Sequence, residues 1–378
     1  MIQVVRVDQT IAEPLADFFR QVWNDDSTPE GVRQALAESA ELNPTRPGEA
    51  PIAAAYLING VVVGYLGTIP AKFWNGTIEA PGDWLKGFMV LPEHRNGPIG
   101  FSTLRELLKH VKVSAATVVA EPARRLFGAV GYKDAGAIPN YIGPLRPAAL
   151  AKRLDVKSLG LGLPDTLDRA VRGAQRIGLA TVGGAVVGLG LATARARVGD
   201  GTRMDLGGTL PPVSLLDALW HRARAQIEAA AVRDGALLHW RYPAARGATY
   251  EAASIYGKRD GDLRAVAVVR RPGASVDPRL RGIRVATLAD VLFVPDDARA
   301  ALAAIASAER IARRMDADAI LCSTAHPAIG RALRRRAWAK LPGNVHLMVR
   351  DPNGELGLPT EIERWWATRG DGNADEAF

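Results

Sequence analysis

The stretch Trp84-Leu85-Lys86-Gly87-Phe88-Met89-Val90-Leu91-Pro92-Glu93-His94-Arg95-Asn96-Gly97-Pro98-Ile99-Gly100 has the residue types and spacing to hold an anionic ligand. An apolar run ends in a proline and an acid, a short loop with two glycines follows, and a helical pattern opens at Ile99, Gly100 and Phe101. A strand-to-helix turn of this kind points backbone N–H groups at a phosphate, and the helix dipole favours the negative charge. Gly97 and Gly100 present no side chain, so a phosphate can approach the backbone closely. Pro98 has no N–H to donate, but it suits the first turn of a helix, where that N–H would have no intrahelical partner.

The elements around this turn occur twice. Phe88-Met89-Val90-Leu91-Pro92-Glu93 has a counterpart in Val291-Leu292-Phe293-Val294-Pro295-Asp296. Each is followed by a helical pattern (101–111 and 298–315), then by an apolar strand (116–120 and 319–322). A helix with proline near its first turn comes next, after Glu121-Pro122-Ala123 and His326-Pro327-Ala328. Upstream in the first half, 2–7 reads as a strand and 11–22 and 29–39 as helices. The strands 52–57 and 61–68 flank Asn59-Gly60, a strong hairpin signal. In the second half 215–232 reads as a helix, with strands at 250–256 and 263–269. The sequence therefore predicts an α/β (α+β) chain of two tandem domains, each a mixed central sheet flanked by helices. Their expected bounds are 1–146 and 213–350, with a Gly/Ala-rich helical linker at 147–212 and a tail at 351–378.

The first copy resembles motif A of the GNAT acetyltransferase superfamily, V-x-P-x-x-R/Q-x-x-G-x-G/A. Aligned on Arg95 and Gly100, Val90, Pro92 and Ile99 also match, whereas the first motif glycine falls on Pro98. The segment 121–132 is similar to the family pattern N-x-x-A-x-x-L-Y-x-x-x-G-F, with Glu121 near the asparagine position and Phe127 in place of tyrosine. The resemblance implies acetyl-CoA or another acyl-CoA as cosubstrate, held by Arg95, Asn96, Gly97, Ile99, Gly100 and Phe101. It also implies that strand amides at Phe88, Met89 and Val90 polarise the thioester. Phe127 cannot return a proton to the departing thiolate as the family tyrosine is proposed to do. Asp83 and Glu121 are the carboxylates placed to act as general base, with a salt bridge or helix cap as the other role of each. The second copy reads Asp296-Asp297-Ala298 where the phosphate turn should be, which implies a half without coenzyme. Trp365-Trp366-Ala367-Thr368-Arg369-Gly370-Asp371-Gly372 is similar to the closing segment of two-domain members found with polysaccharide or cell-envelope biosynthesis.

In the second half, Trp240, Arg241 and Tyr242 combine side chains that stack on sugars or apolar groups and bind anions. With Asp290 they form a candidate acceptor site; a hinge cluster at the start of the second sheet is the other reading. His326 reads as a turn or capping residue. No metal-ligand spacing, Ser-His-Asp order or Walker-type loop is present, and the one cysteine, Cys322, excludes an intrachain disulfide.

A chain of 378 residues, 48% hydrophobic and 23% charged, is long enough for two cores. Its +8 charge comes from 39 arginines against 9 lysines spread along the chain, the signature of solvated faces more than of one nucleic-acid surface. The start lacks a signal-peptide pattern, so a cytoplasmic protein is expected. The uncharged run 177–194 between basic flanks allows a bridging helix, peripheral docking on an anionic membrane, or a span. The expected activity is acyl transfer to a small-molecule primary amine, an amino sugar among the acceptors. An aminoacyl-tRNA-dependent transferase of the double-domain type and a non-catalytic acyl-CoA-binding regulator are the alternatives. Nucleic acid enters only through the tRNA alternative.

Overall fold

A computed structural model of the chain describes residues 1–23, 26–117, 121–153, 201–243, 249–273, 282–372 and 374–375. The uncharged run 177–194 lies outside the described residues. The chain divides into two compact units, Met1–Gly136 with Val345–Glu361 and Ala137–Asn344 with Ile362–Phe378.

Unit 1 contains β1 (Ile2–Arg6), α1 (Ala12–Trp23), α2 (Pro29–Glu41), β2 (Ala53–Ile58), β3 (Val61–Trp74) and β4 (Glu79–Val90). They are followed by α3 (Ile99–Leu107), β5 (Ser114–Ala116) and α4 (Glu121–Ala129). Strands β1 to β4 form an antiparallel meander, and β5 joins β4 in parallel. The β2–β3 hairpin turns through Asn59 and Gly60, both at positive φ (49° and 84°), as an Asn-Gly turn demands. Helix α2 begins where the sequence places it: the Thr28 hydroxyl accepts from the Gly31 N–H at 3.1 Å, with Pro29 in the first turn. One apolar core packs α1 and α2 (Leu15, Phe18, Val32) on β2 and β3 (Ala55, Tyr56, Val62). A second packs α3 and α4 (Leu104, Leu107, Phe127) on Leu66 and Leu85.

The element β6 (Lys133–Pro144) starts in unit 1 and carries the chain into unit 2, followed by α5 (Pro147–Arg153). Unit 2 repeats the order: β7 (Thr202–Gly208), α6 (Val213–Arg224), β8 (Ala229–Ala231), α7 (Gly235–Arg241), β9 (Tyr250–Gly257), β10 (Leu263–Arg270), β11 (Val285–Phe293), α8 (Ala298–Arg314), β12 (Ala319–Ser323) and α9 (Pro327–Arg335). Then come β13 (Ala339–Arg350) and the two-residue β14 (Trp365–Trp366). Strand β12 pairs parallel with β11, as β5 does with β4.

Two expectations change. The domain bounds at 146 and 350 do not hold, because each half gives up its last strand. Asn140 to Pro144 of β6 pair antiparallel with β12 in unit 2, and Met348 to Arg350 of β13 pair antiparallel with β5 in unit 1. Hydrophobic periodicity identifies such strands but not their partners, since both pairings are antiparallel and remote in sequence. The helix expected over 215–232 ends at Arg224, and Ala229 and Ala230 of β8 pair with Trp365 and Trp366 of β14 instead. An alanine run favours a helix on propensity alone, but here all three residues are buried and tertiary packing decides.

The duplication extends to the ends of α4 and α9. Gly131 (φ 92°) and Ala337 (φ 58°) occupy the same left-handed position. Beyond them Tyr132 donates to the Phe127 carbonyl and Trp338 to the Leu333 carbonyl, at 3.1 and 3.0 Å. Alanine in this conformation costs ~1 kcal/mol that glycine avoids. Gly131→Ala is therefore expected to lower the urea midpoint and Ala337→Gly to leave it unchanged or raise it slightly. Equal losses in both variants would contradict the shared geometry.

Candidate active site

The site in unit 1 lies where the β3–β4 register is interrupted. Strand β4 pairs with β5 over three positions, Asp83 with Ser114, Trp84 with Ala115 and Leu85 with Ala116. Beyond Leu85, β4 continues to Val90 without a described β5 partner. On the β3 side the register passes from Gly67–Lys86 to Tyr65–Met89, which leaves Gly87 and Phe88 as a bulge on β4. Gly87 sits at φ 65°, a conformation that favours glycine. Phe88 and Gly87 thus present backbone amides outside the β3 register.

Strand β4 leads into the start of α3. Ser102 donates to the Pro98 carbonyl at 2.9 Å and closes the first turn, and no side chain caps the helix. The N–H groups of Ile99, Gly100 and Phe101 therefore form an open, positive helix end. Gly97 takes no part in it, because its N–H donates to the His94 carbonyl at 3.3 Å. Arg95 is exposed, and its Nε donates to the Val90 carbonyl at 3.1 Å, tying the loop to the end of β4. Asn96 is exposed beside it. Gly100 has a packing role: a Cβ there would lie 3.2 Å from the Phe88 ring and 3.6 Å from Leu126. Phe88 in turn meets Phe127 edge-on, with ring centroids 5.9 Å apart.

Asp83 does not face this site. Asp83 is 1% exposed, and both oxygens receive the Arg46 guanidinium, Nη1 reaching Oδ2 at 3.1 Å and Nη2 reaching Oδ1. It lies four residues before Gly87, ~13 Å along a strand, with the three parallel rungs between. Burial raises its pKa and Arg46 opposes that rise. Asp83 is thus a buried structural ion pair, not a base facing the bulge. Glu121 opens α4, and its side chain lies outside the described residues. Tyr132 bonds Ser114 at 2.6 Å near Asp83, and burial holds its hydroxyl well above the ordinary range.

A cavity of about 450 Å³ opens beside the bulge, bounded by α1, α2, β2 and β3 and reaching Lys86. Leu15, Phe19, Val32, Leu36 and Ile52 line most of it, with Asp26, Ser27 and Thr28 supplying polar groups. Tyr65, also in its wall, lies close to Gly87: a Cβ at position 87 would be 3.5 Å from its ring. Phe19 and Trp23 meet Tyr65 at 5.1 and 6.2 Å. Burial pushes the Tyr65 hydroxyl up to about 12, so it stays protonated at neutral pH. Sequence reasoning missed Tyr65, which reads there as one more apolar position of a strand.

Unit 2 has a break in its parallel ladder and fills it. The β11–β12 ladder covers only Val285 to Thr287, and the β10 register shifts between Leu288 and Asp290. The free edge of β11 is taken by the C-terminal tail. Trp366 Nε1 donates to the Val291 carbonyl at 3.0 Å, and the Gly370 N–H to the Ala289 carbonyl at 2.6 Å. The Val291 N–H donates to Asp290 at 2.9 Å. Trp366 is fully buried against Phe293 and His326, at 4.9 and 4.7 Å. His326 caps α9 by accepting the Ala328 N–H, and burial lowers its pKa to about 4.

The acceptor residues expected in the second half are used to hold this tail. Asp290 pairs with Arg233 at 2.9 Å, and Arg233 also reaches Asp371 at 2.8 Å and Thr368 at 3.2 Å. Arg241 donates to the Gly372 carbonyl at 2.9 Å and to Asp375 at 3.0 Å. Tyr242 is buried on Tyr250, which donates to Asp375 at 2.6 Å. Asp290, Arg241 and Tyr242 therefore bind the chain's own end, which fills the space an acceptor would need. Trp240 is half-buried at the end of α7 and makes no described polar contact with them. At the start of α8, Asp297 accepts the Ala300 N–H at 2.9 Å, so an acid already occupies the helix end. The space between α8 and α9 is about 170 Å³.

No family model matches the sequence, and no curated protein matches it in sequence. Solved structures do match in fold. Saccharomyces cerevisiae N-myristoyltransferase with bound myristoyl-CoA gives a TM-score of 0.55 at 11% identity, over 93% of this chain and 82% of that one. A GCN5-related N-acetyltransferase from Anabaena variabilis gives 0.55 at 11%, over 96% and 75%. A probable N-acyltransferase of unknown function from Enterococcus faecalis gives 0.54 at 11%, over 93% and 73%. The chain therefore has the GNAT-type fold of these two-domain-sized N-acyltransferases. Among the described residues no helix is long and apolar enough to cross a membrane, and no group of His, Cys, Asp or Glu is arranged to hold a metal ion.

Arg46→Ala leaves Asp83 buried without its partner. A carboxyl whose folded pKa lies above its unfolded value of ~3.9 destabilises the fold as pH rises past that value. The variant should lose ~3–5 kcal/mol at pH 7 and visibly less near pH 4, read from denaturant midpoints. A pH-independent loss would show that Asp83 is not the buried charge. Trp366→Ala should cost ~3–5 kcal/mol in the same assay.

Proposed function

We propose that the chain is an acyl-CoA-dependent N-acyltransferase whose single donor site lies in unit 1. The observation that carries this reading is the bulge at Gly87 and Phe88 directly upstream of the uncapped start of α3. That helix end suits the pyrophosphate of a coenzyme, through the N–H groups of Ile99, Gly100 and Phe101. The bulge amides suit the thioester carbonyl, as hydrogen-bond donors to the oxygen on which negative charge develops. A primary amine held in the 450 Å³ cavity attacks the carbonyl carbon, the C–S bond breaks, and the amine loses a proton as the thiolate gains one. Tyr65, protonated and beside the bulge, is the group placed to donate to the thiolate, the task that Phe127 cannot perform.

The cavity lining favours an amine on a largely apolar body, with Asp26 at hand for its ammonium form before reaction. An amino sugar, expected from the resemblance to polysaccharide-linked members, fits such walls less well. The uncapped helix end favours acyl-CoA over aminoacyl-tRNA as donor.

Calorimetric titration with acetyl-CoA and longer acyl-CoAs should give one site per chain, because unit 2 holds its own tail where a second coenzyme would lie. Gly97→Asp, at an exposed position with room for the side chain, should weaken that binding about tenfold or more by placing an acid at the helix start. No binding by the wild type would overturn the reading. Tyr65→Phe should leave coenzyme affinity unchanged and lower kcat ~10²-fold or more; unchanged kcat would remove Tyr65 from the chemistry.

A further inference from the structure

Unit 2 has a second large cavity, about 580 Å³, that neither the tail nor the donor site explains. It lies between the β9–β10 turn, the start of β7 and the start of α8. Four of its lining side chains are cationic: Lys258, Arg259, Arg264 and Arg299. Two are acidic, Asp260 and Asp297, and Arg264 engages both, Asp260 directly and Asp297 at 3.8 Å. Asp297 also caps α8 through the Ala300 N–H at 2.9 Å. Both acids are thus committed. Lys258, Arg259 and Arg299 have no acidic partner among the described residues, so three positive charges face one concavity.

A neutral donor completes the set. Thr202 is 9% exposed, lines the cavity, and its hydroxyl has no hydrogen-bond partner among the described residues. A buried hydroxyl without a partner costs ~1–3 kcal/mol, which a ligand acceptor would recover. The backbone here is held by its own bonds: Lys258 N–H donates to the Gly201 carbonyl at 3.0 Å, and Gly257 N–H to the Asp262 carbonyl at 2.9 Å. The cations are therefore mounted on a closed turn and a 17-residue helix.

The geometry points to a second anion site, in unit 2, that takes a phosphate-bearing ligand between Lys258, Arg259, Arg299 and the Thr202 hydroxyl. Guanidinium and ammonium groups around one hydroxyl donor match the oxygens of a phosphate or pyrophosphate. The cavity volume admits a phosphorylated small molecule, and its position at the unit surface admits a phospholipid headgroup. This site is independent of the coenzyme reading, since it shares no residue with β4 or α3.

The test is calorimetric titration of the full chain with inorganic pyrophosphate. Saturable binding is expected, about tenfold or more weaker in Lys258→Ala/Arg299→Ala. Thr202→Val should weaken it to a smaller extent, and Gly97→Asp, at the other helix start, should leave it unchanged. Thermal melting and acyl-CoA titration of the double variant should match the wild type, which separates lost ligand contacts from lost fold. Sedimentation with phosphatidic-acid vesicles distinguishes the sources: binding that pyrophosphate competes away identifies a lipid headgroup, and its absence alongside pyrophosphate binding identifies a soluble phosphate. Failure of the wild type to bind either probe, or equal binding by the double variant, would overturn the proposal. Loss in Gly97→Asp alone would also overturn it, by assigning the anion to unit 1.

Discussion

The rest of the structure turns on a parallel ladder with three described rungs in each unit. A strand inside a sheet has hydrogen-bonding groups on both edges, and each must find a partner. Where β12 leaves β11 after Thr287, and where Gly87 and Phe88 fall outside the β3 register, backbone groups lose theirs. The chain must satisfy them with something other than sheet. Unit 1 offers them to a ligand, on the reading proposed above. Unit 2 satisfies them from within, with Trp366 and Gly370 donating to β11 carbonyls and Asp290 accepting the Val291 N–H.

That internal solution requires many polar groups. Placing residues 365–372 and 374–375 inside unit 2 buries the tail's charges, and buried charges must be paired. Arg233 is fully buried, yet the carboxylates of Asp290 and Asp371 raise its pKa above the ordinary value against the effect of burial. Arg369 donates to Ser323 at 2.7 Å and to the Ala374 carbonyl at 2.9 Å. Cys322, beside this network, is buried, and burial pushes its thiol up to about 12, away from nucleophilic use. The density of titratable residues that makes the segment 240–242 and Asp290 look like a site in the sequence is the density needed to seat a charged tail.

Much of the fold was legible for local reasons. The Asn59-Gly60 turn, the Thr28-Pro29 helix start and the paired proline landmarks each depend on residues adjacent in sequence, and each is where it was expected. The uncapped start of α3 is likewise a local property, since Pro98 carries no side chain that could accept from the first turn. What escaped notice depended on remote partners. The pairing of β6 with β12 and β13 with β5 joins segments far apart in sequence. Tyr65 acquires meaning only because a bulge on β4 faces it, and Asp83 loses its expected role only because Arg46 reaches it across 37 positions.

The two helix starts show how local chemistry and function trade against each other. Unit 2 caps α8 with Asp297, a contact of the kind worth ~0.5–2 kcal/mol. Unit 1 forgoes that stabilisation at α3, where the N-cap position is Pro98 and no side chain accepts from the first turn. An acid there would stabilise the helix and compete with any anion for the same N–H groups. The two copies of one duplicated element thus sit on opposite sides of a single choice. A capped start gives a more stable domain that refuses phosphate at that point; an open start leaves the helix less stable and receptive. Unit 2, with its helix start capped and its ladder break filled by the tail, has no open helix end left to offer a coenzyme.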